Sequence, residues 1–190
     1  LEEEVRSRGY LYDYEGSSSA DSKVIQAITI WEKMRDGNKF PVADIRKVYK
    51  LMRAHEQVAY GFKGLQGIEE DGLYGIEDLQ ESFGLLVDSP WETALGLVSE
   101  RDSRYIGACL KKGEKLTGKP RVRISTIHRA KGAQAENVCL MTDVSKRSNS
   151  RWTSSEQDDE ARVFYVGLTR AKQTLHLVHP MHGSGYDLPA

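Results

Sequence analysis

The spacing of apolar and polar residues divides the chain into a central helical stretch flanked by strand-like segments. From Asp21 the apolar residues recur at helical intervals, and the pair Gly37-Asn38 is a typical stop signal for that helix. This first stripe consists of Val24, Ala27, Ile28, Trp31 and Met34. A second stripe, made of Ile45, Val48, Tyr49 and Met52, predicts a second helix with an inward apolar face.

Two helix-start signals predict two more helices in the same stretch. In the string Ser89-Pro90-Trp91-Glu92 the serine can cap a helix, the proline suits its first position and the glutamate completes a capping box. Ser99 with Asp102 can cap a fourth helix, which we expect to end near Gly113. Residues 21–118 are therefore predicted to form an almost entirely helical block.

The segments on either side of this block have the pattern of an α/β unit. Before it, a helix over 1–8 and a short aromatic strand over 10–14 are expected. After it, the predicted elements are strands over 121–127 and 138–141, a Ser/Thr-rich loop over 145–155, a helix over 158–172 and a strand over 174–179. This order predicts an α/β fold interrupted by a helical insertion.

Charge is nearly balanced overall but segregated along the chain. The formal net charge is −1, yet residues 66–92 carry eight acidic side chains and no Lys or Arg. Residues 111–131 carry eight Lys and Arg side chains against Glu114 alone. The basic stretch could face phosphates, or both stretches could be solvated surfaces, and the sequence leaves both alternatives open.

Composition limits the class of protein and its compartment. With 39% hydrophobic and 29% charged residues in 190, we expect one soluble globular domain, or one domain with an insertion. The longest apolar runs are too short for a membrane span and no secretion signal is evident, so no membrane partner is expected. Cys109 and Cys139 lack the spacing of a disulfide framework or a zinc site, which favours a reducing, cytoplasmic location and no metal site.

Two segments after the helical block carry distinctive strings. The first runs Ser125-Thr-Ile-His-Arg-Ala-Lys-Gly-Ala-Gln134, and the second runs Glu160-Ala-Arg-Val-Phe-Tyr-Val-Gly-Leu-Thr-Arg-Ala-Lys172. They resemble motifs V and VI of the UvrD/Rep family of superfamily 1 DNA helicases, whose patterns are roughly T-x-H-x-x-K-G-x-E and E-x-R-x-x-Y-V-x-x-T-R-A. Both strings occur in the expected order and beside predicted strands.

The resemblance implies a fold and a division into domains. It implies the second RecA-like, P-loop NTPase-like domain of such a helicase, an α/β domain with a parallel sheet, formed by residues 1–20 and 119–190. A mostly helical inserted subdomain would then occupy residues 21–118. The helical block stands where this family inserts an extra subdomain.

The resemblance also implies a catalytic role for Arg170. In motif VI an arginine near the end of a helix reaches the nucleotide cleft between two RecA-like domains and stabilises charge that develops on the γ-phosphate. A helix-end cation favoured by the helix dipole is the alternative for Arg170. Arg162 could assist, or it could form an ordinary salt bridge with Asp158 or Asp159.

For motif V the resemblance implies contacts to single-stranded DNA and to nucleotide. Thr126 can donate to a phosphate, His128 can stack or hydrogen-bond, and Arg129 adds positive charge beside them. Gly132 permits close backbone approach, and Lys131 lies in the same turn, although a purely local role for Lys131 stays open. The glutamate of the family pattern, which meets the ribose, is Gln134 here, whose amide oxygen can still accept a hydrogen bond.

Two motifs that ATP hydrolysis requires are absent from the sequence. The sequence contains no GxxxxGK[ST] phosphate loop and no acidic strand end of the D-E-x-x kind, and its glycine-rich segment 61–67 follows a helix and is interpreted as a linker. The resemblance therefore implies ATP as cofactor, with Mg²⁺ held by an N-terminal RecA-like domain of the same helicase, and a chain that is a C-terminal part of the motor. Single-stranded DNA would be the other partner, in DNA replication or repair.

A second hypothesis belongs to a different class. The chain could be a non-catalytic DNA-binding or protein-interaction module that is derived from the helicase fold. The replacement of the motif V glutamate by Gln134 is the feature that supports it.

Overall fold

The computed structural model describes residues 1–143, 154–180 and 185–186. They belong to two compact units, Leu1–Ile124 and Ser125–Ala190. The first unit contains α1 (Glu2–Ser7), β1 (Tyr12–Tyr14), β2 (Ser17–Ser18), α2 (Lys23–Arg35), β3 (Phe40–Pro41), α3 (Val42–Lys50), β4 (Leu73–Tyr74), α4 (Ile76–Ser82), α5 (Trp91–Ala94), α6 (Glu100–Lys111) and β5 (Val122–Ile124). The second contains β6 (Ala135–Met141), α7 (Ser154–Leu168) and β7 (Ala171–Val178).

Helices α2 and α3 form the centre of the first unit. Ser22 caps α2, since its hydroxyl accepts a hydrogen bond from the backbone N–H of Ile25 at 3.1 Å. The fully buried Trp31 donates its indole N–H to the carbonyl of Ser89 at 3.0 Å. Both predicted stripes are confirmed, and their buried members are Ala27, Ile28, Trp31, Met34, Ile45, Val48, Tyr49 and Met52.

The start of the third predicted helix differs from the expectation. Helix α5 has only four residues, and Ser89 does not cap it. Instead the backbone N–H of Trp91 donates to Oε1 of Glu32, on α2, at 2.8 Å. The Ser89 hydroxyl is buried and has no hydrogen-bond partner within the described residues. The predicted capping box was wrong because a carboxylate from another helix satisfies this helix end.

Helix α6 has the predicted cap, and an arginine joins it to α1. The Ser99 hydroxyl accepts from the backbone N–H of Asp102 at 3.1 Å, and Gly113 follows the helix with φ +78. Nη2 of Arg6, on α1, lies 2.9 Å from Asp102, and its guanidinium stands 4.4 Å from the ring centre of Tyr105. Burial raises the pKa of Tyr105 well above its ordinary value.

The prediction of an almost entirely helical block over residues 21–118 was wrong, because a small sheet forms within it and its strand β4 lies in the acidic stretch. Strand β4 pairs antiparallel with β3, and α4 follows directly. The N–H of Gly75 donates to Asp78 at 2.8 Å, and Lys39 lies 2.9 Å from the same carboxylate. These two contacts, the backbone one first, lower the pKa of Asp78. Glu70 pairs with Arg46 at 2.5 Å, so part of the acidic stretch is neutralised within its own unit.

A three-stranded sheet brings the two ends of the first unit together. Strand β1 pairs antiparallel with β2 and parallel with β5, so that Tyr12 stands opposite Val122. The turn between β1 and β2 contains Gly16 with φ +90, a left-handed conformation that favours glycine. The strands predicted around residues 10–14 and 121–127 are confirmed, although β5 is shorter than predicted.

In the second unit, α7 packs on a pair of parallel strands. Strands β6 and β7 are parallel, with Leu140 opposite Leu177. A Cβ placed on Gly167 of α7 would lie 2.9 Å from Cδ1 of Leu140, which shows how closely the helix approaches β6. The predicted end of this helix at Lys172 was wrong. The helix ends at Leu168 because the following residues join β7.

The observed architecture is mixed α/β with parallel strand pairs. Most of the predicted loop over 145–155 falls outside the described residues. Within the described part of the chain, no helix is both long and apolar enough to cross a membrane. The division into residues 1–20 with 119–190, and 21–118, stays a prediction.

Candidate functional site

The strings of residues 125–134 and 160–172 both lie in the second unit and meet at the junction between α7 and β7. The backbone N–H of Ala135 donates to the carbonyl of Arg170 at 3.0 Å. Nη1 of Arg170 donates to the carbonyl of Ala133 at a longer 3.4 Å. The end of the first string is therefore tied to the end of the second at Arg170.

The guanidinium of Arg170 is half-buried against the C-terminal end of α7. Its Nε donates to the carbonyl of Val166 at 2.7 Å, and its Nη2 donates to the hydroxyl of Thr169 at 2.7 Å. Val166 belongs to the last helical turn, whose carbonyls need partners from outside the helix. Of the five N–H donors on a guanidinium, two remain without a partner among the described residues.

The first string folds into consecutive turns rather than a regular helix. The N–H of Ala130 donates to the carbonyl of Thr126 at 3.1 Å, and that of Lys131 donates to His128 at 3.3 Å. Gly132 has φ +82, a left-handed conformation that favours glycine. A Cβ there would meet no atom within 4 Å, so the conformation, rather than space, requires the glycine.

The predicted ligand-binding residues of this string are all exposed. The predicted DNA contacts are Thr126, His128 and Arg129, and the predicted nucleotide contacts are Lys131, Gly132 and Gln134. The exposed set offers hydrogen-bond donors, two cations and an imidazole to a ligand. All six lie on one exposed loop, which contacts Arg170 through the carbonyl of Ala133.

Arg162 lies on α7 and forms a surface ion pair. Its Nη1 stands 3.1 Å from Oδ1 of Asp159, and both side chains are mostly exposed. Such pairs contribute at most about 1 kcal/mol. One of the two alternatives for Arg162, the ordinary salt bridge, is therefore observed.

Thr169 contacts Arg170, yet sequence reasoning gave it no role. The Thr169 hydroxyl lies 3.0 Å from the carbonyl of Tyr165 and 3.1 Å from that of Val166. A hydroxyl at the end of a helix commonly bonds back to the preceding turn, and that tendency is the signal that could have identified Thr169. Its lone pairs remain available to accept from Arg170.

Aromatic stacking holds α7 at Phe164. The buried Phe164 stacks on Tyr186 with ring centres 4.4 Å apart and planes 12° apart. The N–H of Tyr186 donates to the carbonyl of Thr142 at 2.8 Å, immediately after β6. This contact ties α7 to the end of β6.

No group of three or more His, Cys, Asp or Glu side chains that could hold a metal ion occurs among the described residues. Cys109 is buried, Cys139 is exposed, and both are free thiols. Burial raises the pKa of the Cys109 thiol, which keeps it protonated and unreactive. Arg170 and the exposed Arg129 and Lys131 of the neighbouring loop are cations with several hydrogen-bond donors, the groups that recognise phosphates.

Comparisons with known proteins agree with this chemistry. A family model described as the UvrD-like helicase C-terminal domain matches residues 106–180. The protein named ATP-dependent DNA helicase PcrA, from Bacillus subtilis (strain 168), is 38% identical over 72 residues, which cover 36% of this chain and 10% of that relative. The chain thus spans about a tenth of the length of the curated relative it matches. No solved structure matches the chain at a significant level.

The matched stretch contains both strings and the junction at which Arg170 joins them. Sequence similarity and the observed contacts therefore point to the same part of the molecule. Residues 106–180 thus match the C-terminal domain of the UvrD-like helicases, and the chain is similar to PcrA over 72 residues, so the resemblance found in the two strings is confirmed.

Proposed function

We propose that this chain is the C-terminal motor domain of an ATP-dependent, UvrD-like DNA helicase. In this proposal it supplies an arginine finger, Arg170, to ATP hydrolysis and contacts to single-stranded DNA through Thr126, His128 and Arg129. The observation that carries the proposal is the placement of Arg170, between the helix of motif VI and the loop of motif V. A motor of this kind acts in DNA replication or repair.

The donor pattern of Arg170 fits a phosphate. Its contacts to Val166 and Thr169 hold one edge of the guanidinium against the chain. Two N–H groups stay unpaired within the described residues, and a planar fork of this kind can meet two phosphate oxygens at once. No carboxylate among the described residues lies within salt-bridge distance of Arg170, so its charge is not neutralised there.

The nucleotide site needs residues from outside this chain. The motif V loop supplies the cation of Lys131, the accessible backbone of Gly132 and the side-chain amide of Gln134. A phosphate loop and acidic ligands for Mg²⁺ would come from an N-terminal RecA-like domain. We propose that this domain is the chain's partner and that ATP binds in the cleft between the two.

The parallel strand pairs support a RecA-like fold. Strands β1 and β5, and strands β6 and β7, pair in parallel, as the sheet of such a domain requires. We propose that residues 1–20 and 119–190 form this domain and that residues 21–118 are its inserted helical subdomain.

The DNA contacts rest on exposure and chemistry. Thr126, His128 and Arg129 lie on the exposed turns that lead to Gly132. A hydroxyl and a guanidinium suit phosphate oxygens, and an imidazole can stack on an unpaired base. These contacts do not depend on the base sequence of the DNA, as expected for a protein that moves along a DNA strand.

The test is ATP turnover in a polypeptide that joins this chain to a phosphate-loop half. Arg170→Ala should lower DNA-stimulated turnover by about 10³-fold or more while DNA affinity stays unchanged, since the finger acts on charge in the transition state. Arg104→Ala is the matched control, because Arg104 is an exposed helical arginine that pairs with Glu100 at 3.1 Å. This control should leave turnover within about twofold of the parent, as expected for a surface ion pair.

Two results would contradict the proposal. If Arg170→Ala lowers DNA affinity and leaves turnover intact, Arg170 is a DNA contact rather than a finger. If the parent polypeptide binds DNA without hydrolysing ATP, the non-catalytic module is the better account.

A further inference from the structure

The hydroxyl of Thr169 stands between the end of α7 and the guanidinium of Arg170. Its oxygen lies 3.0 Å from the carbonyl of Tyr165 and 3.1 Å from that of Val166. It also accepts a hydrogen bond from Nη2 of Arg170 at 2.7 Å. One side chain thus connects the last helical turn to the arginine.

The orientation of Thr169 is fixed before any ligand arrives. Its side chain is β-branched, which leaves few χ1 choices, and its single hydroxyl proton is directed at the carbonyls of the preceding turn. The lone pairs of the oxygen then point away from the helix. The acceptor offered to Arg170 is therefore rigid.

Two contacts made by adjacent nitrogens set the plane of the Arg170 guanidinium. Nε donates to the carbonyl of Val166 at 2.7 Å, and Nη2 donates to Thr169. Two hydrogen bonds along one edge fix the plane of the guanidinium, whereas a single bond at Nε would leave that plane free to rotate. The third contact, to Ala133, is 3.4 Å long and too weak to replace the Thr169 bond.

We propose that Thr169 is a positioning residue that holds the free edge of Arg170 in the orientation required by the γ-phosphate of ATP. This inference rests on the proposed function, because it needs Arg170 to act as the finger. Thr169 itself touches no substrate. Its contribution is pre-organisation, which lowers the cost of reaching the geometry of the transition state.

The proposal predicts a specific pattern of kinetic effects. In the polypeptide that joins this chain to a phosphate-loop half, Thr169→Val should lower kcat by about 10-fold to 100-fold, the scale expected when a catalytic group is misplaced. The KM for ATP should change by less than about threefold, since the interaction matters mainly in the transition state. Thr169→Ser keeps the hydroxyl and should retain most of the parent's kcat.

A double-mutant comparison separates this inference from the proposed function. Thr169→Val should cause no further loss when it is combined with Arg170→Ala, because a positioning residue acts only through the group it positions. If Arg170→Ala lowers turnover but Thr169→Val does not, the inference is wrong and the finger assignment stands. If Arg170→Ala leaves turnover unchanged, the proposed function itself is wrong.

A spectroscopic measurement on the 190-residue chain covers the case in which Thr169→Val perturbs folding. Thr169→Ala serves as the second variant. In the parent, ¹⁵N signals of the Arg170 guanidinium should show slow rotation about the Cζ–Nη2 bond, and both variants should show averaged signals. Slow rotation that persists in a folded variant without the hydroxyl would overturn the inference.

Discussion

Replacing Gly167 by alanine tests the close approach of α7 to β6 in the second unit. Gly167 is the penultimate residue of the helix and lies three residues before Arg170. A Cβ at this position would stand 2.9 Å from Cδ1 and 3.3 Å from Cδ2 of Leu140, and 3.5 Å from Cδ1 of Ile127. Leu140 is only 6% exposed, so its side chain has little free space into which to move.

Two opposing effects set the change that Gly167→Ala makes to the free energy of unfolding. Alanine in place of glycine within a helix stabilises by about 0.5–1 kcal/mol, because the unfolded chain has less freedom to lose. An extra methyl group in a packed contact costs about 1–3 kcal/mol. The contact with Leu140 should win, so Gly167→Ala should lower the free energy of unfolding of the second unit by about 0.5–2 kcal/mol.

Gly107 provides the matched control. It lies inside α6, and a Cβ there would meet no atom within 4 Å. Gly107→Ala should therefore stabilise the first unit by about 0.5–1 kcal/mol. Urea unfolding followed by circular dichroism measures both variants. In the Leu140→Ala background, Gly167→Ala should become stabilising, because the obstructing side chain is gone. If Gly167→Ala stabilises the unmodified chain as Gly107→Ala does, the described packing of α7 on β6 is wrong.

Three further predictions concern DNA, pH and ATP. His128→Ala should weaken the binding of single-stranded DNA without changing its dependence on salt. Arg129→Ala should reduce the slope of log affinity against log salt concentration by about 0.7, as expected for the loss of one phosphate contact. If both variants bind single-stranded DNA like the parent at every salt concentration, motif V does not contact the DNA. Burial raises the pKa of Tyr49 and Tyr105, so these side chains stay protonated in the folded state while unfolded tyrosines ionise. The free energy of unfolding should therefore fall as the pH rises above about 10, and Tyr49→Phe should make that fall shallower in urea titrations across this range. The chain by itself should release no phosphate from ATP above background, because its sequence has no phosphate loop; turnover by the purified chain would refute this.

Local periodicity predicted the helices better than their caps. The stripes around Trp31 and Ile45 were confirmed because helical spacing reports directly which face is buried. The cap at Ser89 was wrong because the acceptor that binds the N–H of Trp91 instead, Glu32, lies 59 residues before Trp91 in the chain. No local pattern contains that information. Similarly, β7 begins at Ala171 and pairs in parallel with β6, so the helix ends four residues earlier than predicted.

The site residues were predicted from two strings, but their contacts were not. The position of Arg170 follows from its motif, whereas its partner on the motif V loop is the backbone carbonyl of Ala133, 37 residues away. A carbonyl group carries no side-chain signature, so the sequence could not reveal this contact. The role of Thr169 was missed for a related reason, since its hydroxyl acts on Arg170 only in the folded geometry of the helix end.

The most direct test of the central claim is nucleotide trapping by a transition-state mimic. In the polypeptide that joins this chain to a phosphate-loop half, ADP with aluminium fluoride imitates the planar phosphoryl group that a finger stabilises. The parent should retain radiolabelled ADP under these conditions, and Arg170→Ala should release it, while both bind ADP alone with equal affinity. Retention of ADP and aluminium fluoride by Arg170→Ala at the level of the parent would contradict the assignment of Arg170 as the finger.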